Sequence, residues 1–335
     1  MATNVLSEVL AQPTAVGTLE RALAGGRVHH AYLFDGPAGV GKELAAFGLA
    51  QALVCATRGP STAGLACGEC SACKRAIPRE ETRRPVHPDI VVLERGLYDP
   101  AQIGRRTPET QDISIDQVRT LVLARAAFSS HEGHAKVFIV RRAEELSIAA
   151  ANALLKTLEE PGKGTHFILL TSEGDTLLPT IRSRTQRVRF AALPDAVVAK
   201  LLVLRGTEDS RAAEIARLAA GSMEAALTLA SEEETAKREE FVGRAMSALD
   251  AADLGAALDL AEAAKKYPRD ALARQLIAFA AALADQARAT ASAKDRRADA
   301  ATARYRLALA AARQLDANAS AQLVVESMLS RMRSA

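Results

Sequence analysis

The chain has 335 residues, 49% of them hydrophobic and 25% charged, and a formal net charge of +3 at pH 7. This length favours two or three domains, and the balanced composition without a long apolar run excludes disordered and membrane-spanning classes. With 43 basic and 40 acidic side chains, the net charge gives no support for a nucleic-acid-binding surface. The first residues lack the basic and apolar regions of a signal peptide, so we expect a cytoplasmic protein without membrane contact.

The first half of the chain alternates short apolar runs with helical stretches. The apolar runs predict strands at 31–34, 90–93, 137–140 and 167–170, and a helix is predicted from about Glu43 to Val54. Strands that alternate with helices are typical of a parallel sheet covered on both faces. We therefore predict an α/β domain of the nucleotide-binding type over residues 1–190. The polar segment Tyr98–Asp112 is expected to be an exposed loop.

The second half of the chain has helical periodicity throughout. From Leu193 onward the strand signals end, and Ala, Leu, Arg and Glu dominate. The Gly221-Ser222 pair and the acidic run 232–234 interrupt this pattern. We predict a small helical domain over residues 191–231 and an all-α bundle over residues 232–335.

A glycine-rich loop separates the first predicted strand from the helix after it. The loop contains Gly36, Gly39, Gly41 and Lys42. In a P-loop, glycines allow backbone N–H groups to surround phosphates, and the following helix N-terminus favours negative charge. The order of strand, glycine loop and helix therefore predicts a P-loop with these four residues as its phosphate-binding groups. The alternative is a tight turn in which the glycines occur by chance.

Two departures from the P-loop pattern argue against ATP hydrolysis. Glu43 stands where a Ser or Thr hydroxyl coordinates magnesium. Its carboxylate counts against magnesium-ATP binding, although Lys42 can still pair with phosphate, so nucleotide binding stays open. Arg141 and Arg142 follow the strand after which a hydrolytic P-loop protein places acidic residues. Two cations can neither ligate a metal nor act as a base, so we predict that the chain is not an ATPase on its own.

All four cysteines of the chain lie within one short segment, at Cys55, Cys67, Cys70 and Cys73. Such crowding in a cytosolic chain favours a metal site over disulfides, and four thiolates suit a closed tetrahedral Zn²⁺ site. The spacing predicts a zinc-binding insertion over residues 55–73, structural because it leaves no ligand position for water or substrate. The alternative is a set of free buried thiols or a disulfide pair.

Several stretches occur together in an order typical of one family. They are 30–34 (HAYLF), 87–89 (HPD), 151–161 (ANALLKTLEEP), 181–184 (IRSR) and 318–323 (NASAQL). In these stretches the chain resembles the delta-prime family of bacterial DNA polymerase III clamp-loader subunits, over nearly its whole length. The stretch 151–161 is shared with the ATPase subunits of the same loader, so it does not separate the two kinds of subunit.

The resemblance implies an AAA+ P-loop module, a helical lid over residues 191–231 and a helical collar over residues 232–335 that holds a five-membered ring together. The implied partners are the gamma/tau ATPase subunits and the delta subunit, with the sliding clamp and primed-template DNA engaged through the complex. A lid arginine that senses nucleotide follows a Gly-Ser pair in this family. Here Gly221-Ser222 is followed by Met223 and Glu224, which is a third departure from an active site.

The resemblance also assigns a role to Arg184, together with Ser183. In the family this arginine is an arginine finger, which points at the γ-phosphate of the neighbouring subunit and stabilises transition-state charge. Thr185 takes the place of the family's cysteine, which is not the chemical group in question. The alternative is a basic surface, because the same segment also contains Arg182, Arg187 and Arg189.

The expected function is therefore that of a non-hydrolysing clamp-loader subunit in the DNA polymerase III holoenzyme, which completes the ring and supports clamp loading during DNA replication. One alternative is an active ATPase motor of the gamma/tau type, which requires Ser or Thr at position 43 and acids at 141 and 142. Another is a free-standing zinc and nucleic-acid-binding protein, which the weak net charge disfavours.

Overall fold

The computed structural model describes residues 4–57, 64–105, 112–132, 134–251, 253–290, 296–316 and 319–334. The chain divides into two compact units, Met1–Ala230 and Ser231–Ala335. The first unit contains a β-sheet with helices around it, and the described elements of the second are all helices. None of the helices in the described ranges is both long and apolar enough to cross a lipid bilayer.

The first unit is built on a five-stranded sheet in which all paired strands are parallel. Its strands are β1 (Ala31–Asp35), β2 (Ile90–Leu93), β3 (Lys136–Val140), β4 (Thr165–Thr171) and β5 (Gln186–Arg189). Their order across the sheet is β2-β3-β4-β1-β5. The four predicted strands are confirmed. Because β1 lies between β4 and β5, the glycine loop that follows it starts from the interior of the sheet.

The apolar runs form strands because they are buried on both faces of the sheet. Along β1, Tyr32 and Phe34 belong to one hydrophobic core, whereas Ala31 and Leu33 belong to another. Successive side chains of a strand alternate between the two faces, so a strand covered on both sides needs a continuous apolar run. This arrangement confirms the predicted α/β class with a P-loop AAA+ module.

The edge strand β5 is not predicted from the sequence. Of its four residues only Val188 is buried, and the other three are exposed. A strand with one apolar side chain has no alternation for a pattern to detect. Its position depends on backbone pairing with β1, in which Asp35 is opposite Arg189.

Helices cover both faces of this sheet. They are α1 (Pro13–Ala24), α2 (Lys42–Val54), α3 (Ser71–Arg75), α4 (Ile115–Val118), α5 (Ala124–Ala126), α6 (Ile148–Glu159) and α7 (Pro179–Arg182). A π-helical segment, Arg119–Leu123, joins α4 to α5, and short 3₁₀ helices lie at Val5–Glu8, Pro100–Ile103 and Ala143–Glu145. The predicted helix at Glu43 is α2, which begins one residue earlier.

Three further helices complete the first unit: α8 (Asp195–Val203), α9 (Asp209–Leu218) and α10 (Met223–Ala230). Their buried side chains share one hydrophobic core with Tyr32 and Phe34 of β1, and they include Val198, Leu202, Ala212, Ile215, Ala216 and Ala226. This shared core places the start of α10 next to the glycine loop.

The second unit contains α11 (Glu232–Asp250), α12 (Gly255–Ala264), α13 (Arg269–Thr290), α14 (Arg296–Asp316) and α15 (Ala321–Arg333). It has a core of its own, whose members include Phe241, Leu272, Leu276, Phe279, Leu315 and Leu329. A separate core is what allows a unit to be stable by its own packing. The predicted all-α character of this region is confirmed.

The segment Tyr98–Asp112 is only in part the exposed loop that its composition suggests. Ile103, at the end of a 3₁₀ helix, is 1% exposed and lies in the hydrophobic core. The hydroxyl of Tyr98 donates a hydrogen bond to the carbonyl oxygen of Val92 at 2.8 Å. The expectation is therefore wrong for the buried Ile103, whereas Asp99, Ala101 and Gln102 are exposed as expected. Residues 106–111 of the predicted loop lie outside the described residues.

Candidate functional site

The loop between β1 and α2 has a backbone that requires its glycines. Gly39 has a φ of 72°, and a Cβ at this position would lie 2.3 Å from the backbone nitrogen of Glu224. A Cβ on Gly36 would lie 2.2 Å from the carbonyl oxygen of Phe190. Gly41 is the N-cap of α2, so the unpaired N–H groups of the first helical turn face this loop. The four loop residues predicted from the sequence thus lie together in one turn.

The ammonium group of Lys42 is bonded to its own loop. Its Nζ donates hydrogen bonds to the carbonyl oxygens of Gly36 at 2.5 Å and Pro37 at 2.6 Å. Burial lowers the pKa of Lys42, and nearby acidic groups oppose this shift, namely Glu144, Asp35 and Glu224. Several carboxylates near the loop make its surroundings less favourable for a triphosphate than a basic pocket is.

Glu43 and Arg141, two of the residues that depart from an ATPase pattern, contact each other. Arg141 Nη2 donates to Glu43 Oε1 at 2.5 Å, and its Nη1 donates to Glu94 Oε2 at 2.7 Å. The side chains of Arg141 and Glu94 are 6% and 11% exposed, whereas that of Glu43 is 50% exposed. Glu94 also accepts a bond from Arg83 Nη2 at 2.7 Å. A buried guanidinium therefore bridges two carboxylates.

This bridge joins the two positions that hold the metal ion in an active P-loop protein, the residue after the lysine and the residues after the strand. The guanidinium of Arg141 neutralises Glu43, which removes the carboxylate as a ready ligand for magnesium. Arginine offers only donors and keeps its proton in proteins, so it can neither ligate a metal nor accept a proton from water.

The remaining two departures also contact each other. Arg142 Nη2 lies 3.5 Å from Glu224 Oε1, and Arg142 Nη1 lies 3.5 Å from Glu145 Oε1. Both Arg142 and Glu224 have about half of their side-chain surface exposed, at 52% and 56%. In an active ATPase of this kind an acid is expected at position 142 and an arginine at position 224, so the two charges are exchanged here. The four departures therefore form two pairs of opposite charge, Glu43 with Arg141 and Arg142 with Glu224.

The start of α10 closes over the glycine loop. Ser222 Oγ donates to the carbonyl oxygen of Ala38 at 2.8 Å. On the other side, Nε2 of the buried Gln12 donates to the carbonyl oxygens of Val40 at 3.3 Å and Ala191 at 2.7 Å. These bonds satisfy the loop carbonyl groups of Ala38 and Val40. They attach the glycine loop to Gln12 and Ser222.

The four cysteines form the second candidate site. Their sulfur atoms all lie within 4.8 Å of one another, and Cys67 Sγ is 3.8 Å from Cys73 Sγ. A tetrahedral zinc ion with Zn–S bonds of about 2.3 Å separates its sulfurs by about 3.8 Å, so the spacing fits this ion. All four are free thiols, which excludes the disulfide alternative for this structure. Residues 58–63 of the predicted insertion lie outside the described residues.

Hydrogen bonds prepare these thiols as metal ligands. Backbone N–H groups of residues 69 and 70 donate to Cys67 Sγ, and those of Cys67 and Cys73 donate to the sulfurs of Cys55 and Cys70, each at 3.4 Å. The hydroxyl of Thr57 and the N–H of Cys70 lower the pKa of Cys67 to about 6, because donors stabilise the thiolate. Burial raises the pKa of Cys73. A metal ion would hold that sulfur as the thiolate.

A polar network that includes the buried residues His87 and Asp89 connects the cysteine segment to the sheet. Arg75 of α3 makes a bidentate ion pair with Glu132, at 2.6 and 2.8 Å. Glu132 Oε2 also lies 3.3 Å from Nε2 of His87, whose pKa is lowered by burial. The carboxylate of Asp89 accepts bonds from the backbone N–H groups of His131 and Glu132. His87 thus belongs to the contacts that connect α3 to the start of β2.

Arg184 lies at a different edge of the first unit, between α7 and β5. Its Nη1 donates to the carbonyl oxygen of Thr180 at 2.9 Å and to Ser183 Oγ at 3.2 Å. Its Nη2 forms an ion pair with Oε1 of Glu159, the last residue of α6. The side chains of Arg184 and Glu159 are 33% and 46% exposed. Arg184 is therefore held by its own chain and remains accessible.

Arg184 lines an open cleft of about 440 Å³. The other lining residues are His29, His30, Leu158, Glu159, Ser183, Thr185 and Gln186. The rings of His29 and His30 are stacked with their centroids 4.3 Å apart, and burial, followed by the charge of His29, lowers the pKa of His30. By contrast, Arg187 is paired with Asp35, so the basic cluster near Arg184 is not a uniform surface.

A family model described as "DNA polymerase III, delta subunit" matches residues 11–194, which is more than half of the chain. The chain belongs to this family of clamp-loader subunits. The matched range includes the glycine loop, the four cysteines, Arg141 and Arg184, whereas Ser222 and Glu224 near the start of α10 lie outside it.

Curated relatives of two kinds are similar to this clamp-loader chain. The gamma/tau subunit of DNA polymerase III from Mycobacterium tuberculosis is 36% identical over 196 residues, covering 58% of this chain and 30% of that protein. The delta' subunit from Pseudomonas aeruginosa is 38% identical over 208 residues, covering 61% of this chain and 56% of that protein. The matches thus span about a third to somewhat over half of these relatives. Similar identities to both do not separate the two kinds of subunit.

Among solved structures, a gamma subunit-related protein of DNA polymerase III from Thermotoga maritima is similar to this clamp-loader chain. The two are 18% identical, with a TM-score of 0.49, and the likeness covers 95% of this chain and 98% of that one.

The sequence of this clamp-loader chain shows the departures from an ATPase pattern, but it shows neither that Glu94 pairs with Arg141 nor that Glu159 pairs with Arg184. Glu94 directly follows β2, and Glu159 ends α6; both contact an arginine far away in the sequence. The position of Glu94 directly after a buried strand could have indicated a buried ion pair. The sequence gives no reason to choose Glu159 over Glu160 as the partner of Arg184, because the two neighbours are the same residue type.

Proposed function

We propose that this chain is the delta-prime type of clamp-loader subunit: a member of the ring that does not hydrolyse ATP and that serves the active site of a neighbour. The observation that carries the proposal is the bridge from Glu43 through Arg141 to Glu94. A motor subunit needs a hydroxyl and an acid at the first two positions to hold magnesium. Here the same positions are joined by an ion pair inside the protein.

The bridge removes two requirements of hydrolysis at once. Magnesium would have to displace a guanidinium that is 6% exposed and bonded to two carboxylates. The attacking water would need a nearby base, and Arg141 and Arg142 supply none. Lys42 and the glycine loop are still present, so occasional nucleotide binding without turnover is compatible with the proposal.

Arg184, with Ser183, is proposed to act in trans as an arginine finger. Its side chain is 33% exposed, lines an open cleft and forms an ion pair with Glu159. A finger stabilises the charge that develops on the phosphate of the neighbour. Since the chain's own site lacks metal-binding chemistry, this arginine can contribute to hydrolysis only at another subunit's nucleotide.

The four cysteines are proposed to bind one structural Zn²⁺. A bound zinc would link the end of α2 to α3 and stabilise the segment between them, since metal binding at such sites contributes directly to folding. The four sulfurs complete a tetrahedral set, so the ion would have no open position for substrate.

The proposed organisation is an AAA+ module over residues 1–190, a lid over residues 191–231 and a collar over residues 232–335. In a bacterial cytosol, the partners would be gamma/tau ATPase subunits and a delta subunit in a hetero-pentamer. The complex would act on the sliding clamp and primed-template DNA during replication. The separate helical core of the second unit supports its use as an assembly domain.

An active motor of the gamma/tau type is the competing proposal, since gamma/tau relatives are as similar to the chain as delta' relatives are. Steady phosphate release by the isolated chain, followed with and without Lys42→Ala, distinguishes the two. We expect no release above background. Turnover that Lys42→Ala abolishes would show that the chain is a motor.

A further inference from the structure

We propose that Glu159 is a positioning residue for Arg184: it holds the guanidinium folded back on its own chain, and the phosphate of a neighbouring subunit displaces its carboxylate. This inference rests on the trans role of Arg184 proposed above. It adds a second state for the arginine and names the group that maintains this state. The observations are the contacts of Arg184, their exposure and the position of Glu159 at the end of α6.

Most of the hydrogen-bonding capacity of Arg184 is directed at its own chain. Nη1 donates to the carbonyl oxygen of Thr180, four residues earlier, and to Ser183 Oγ, while Nη2 pairs with Glu159. A guanidinium has five N–H donors, and bidentate binding of phosphate uses two parallel ones. Because Nη1 and Nη2 both have partners, their shared edge becomes available to a phosphate only when these contacts exchange.

A carboxylate and a terminal phosphate compete for the same N–H groups. Phosphate carries more negative charge and offers three acceptor oxygens, so it binds the guanidinium more strongly than Glu159 does. Both side chains are partly exposed, at 33% and 46%, so the exchange needs no opening of the core. Once hydrolysis removes the γ-phosphate, Glu159 recaptures the arginine. Arg184 thus has two positions, and the occupancy of the neighbour's site selects between them.

The exposure of the pair sets the size of the effect. Ion pairs that are exposed to this degree shift an equilibrium by only about 1.4- to 5-fold. Removing the charge of Glu159 should therefore increase the fraction of extended arginine by about this factor. A subunit whose arginine is released more easily should activate its neighbour at lower ATP concentration.

The test uses the reconstituted complex of this chain with gamma/tau and delta subunits, the sliding clamp and primed DNA. ATP hydrolysis is measured at subsaturating ATP for Glu159→Gln, for Arg184→Ala and for the double variant. Glu159→Gln should raise the part of the rate that comes from the site served by Arg184 by up to about 5-fold, so the total rate should rise by less. Arg184→Ala should lower it, and the double variant should match Arg184→Ala. Glu160→Gln is the matched control, because it removes the same charge from the exposed next residue and should leave the rate unchanged.

The sign of the effect separates positioning from a structural role, since damage to the fold lowers a rate and does not raise it. A Glu159→Gln rate at or below that of the unmodified complex, with Arg184→Ala impaired, overturns this inference and leaves the trans role of Arg184 standing. A rise that persists in the Arg184→Ala background also overturns it, because Glu159 would then act on another group. Full activity of Arg184→Ala overturns the proposed function itself.

Discussion

Two sites in the first unit contain arginines paired with glutamates, and they differ in burial. At the glycine loop, Arg141 is 6% exposed and bridges two carboxylates, one of which is also nearly buried. At the edge near α7, Arg184 is 33% exposed and pairs with one carboxylate that is 46% exposed. Arg141 is therefore a structural residue whose two ion pairs are largely shielded from solvent. The ion pair of Arg184 is more exposed, so it can break more easily.

This difference shows that an ion pair between the same residue types can have opposite functional meanings. Removing one member of a buried pair leaves an uncompensated charge in the protein, whereas an exposed pair can open at little cost. If the proposed function is correct, the ion pairs of Arg141 close the loop site to magnesium, whereas the ion pair of Arg184 can open to a phosphate of a neighbouring subunit. The following predictions test this contrast, from the largest expected effect to the smallest.

Removing zinc should have the largest effect, and it should affect the loop site more than the edge site. Structural zinc in small metal-dependent domains contributes on the order of 10 kcal/mol of binding free energy. Hydrogen exchange should rise over 64–75 and over 83–94, because the backbone N–H groups of Val86 and His87 donate to the carbonyl oxygen of Arg75 in α3, next to the cysteines. Protection around Arg184 should persist. About one zinc per chain before chelation, and recovery on its return, are the controls.

Arg184→Ala should have the next largest effect, on ATP hydrolysis by the assembled complex. An arginine finger contributes roughly 10³- to 10⁵-fold at the nucleotide that it serves. A ring with several active sites loses the share of that one site. Clamp- and DNA-stimulated hydrolysis should fall while assembly is unchanged. Arg184→Lys should rescue poorly, because an ammonium lacks the planar fork of guanidinium. Normal clamp loading by the alanine variant would assign Arg184 to a passive surface.

The free energy of unfolding should separate the two arginines. Arg141→Ala leaves Glu94 buried beside fewer positive charges, and the expected loss of stability is about 3–5 kcal/mol. Arg184→Ala removes a half-exposed pair, and its expected cost is about 1 kcal/mol at most. Denaturant unfolding of the two variants measures this difference directly. Equal losses of stability in the two variants would contradict the proposal that Arg141 is structural and that the ion pair of Arg184 opens easily.

The pair between Arg142 and Glu224 should have the smallest effect. Its atoms are 3.5 Å apart and both side chains are about half exposed, so Glu224→Ala should change the free energy of unfolding by less than about 1 kcal/mol.

Ser222→Ala is the informative comparison, because the hydroxyl of Ser222 donates a hydrogen bond to the loop carbonyl oxygen of Ala38. Hydrogen exchange in α10 should increase more in the Ser222 variant. A larger increase for Glu224→Ala would mean that the ion pair rather than this hydrogen bond holds α10 against the glycine loop.

Much of the fold follows from local sequence patterns. The buried strands β1 to β4 are continuous apolar runs, and glycines at positions 36, 39 and 41 identify the loop, because both signals depend on neighbouring residues. The edge strand β5 carries one buried side chain, so its strand state depends on pairing with β1. Tyr98 and Ile103 show the same limit, since their anchoring depends on distant core positions.

The candidate sites were predictable as sets of residue types but not as contacts. The spacing of the four cysteines is local, and the structure brings their sulfurs within 4.8 Å. The sequence showed that Glu43 and Arg141 depart from an ATPase pattern. It could not show that they neutralise each other, because the fold brings together residues 98 positions apart in the chain. The partner of Arg184 was hidden for the same reason.

The bridge at the glycine loop also constrains how this chain can change over generations. Replacing Glu43 by Thr alone returns the hydroxyl of an active site but leaves Arg141 across from it. Replacing Arg141 by Asp alone places a new carboxylate beside Glu43 and Glu94, which repel it. Each single replacement is therefore expected to lower stability, and the effects of replacements at positions 43 and 141 are not expected to add, because the two side chains contact each other. A lineage of this chain would be expected to change the two positions together.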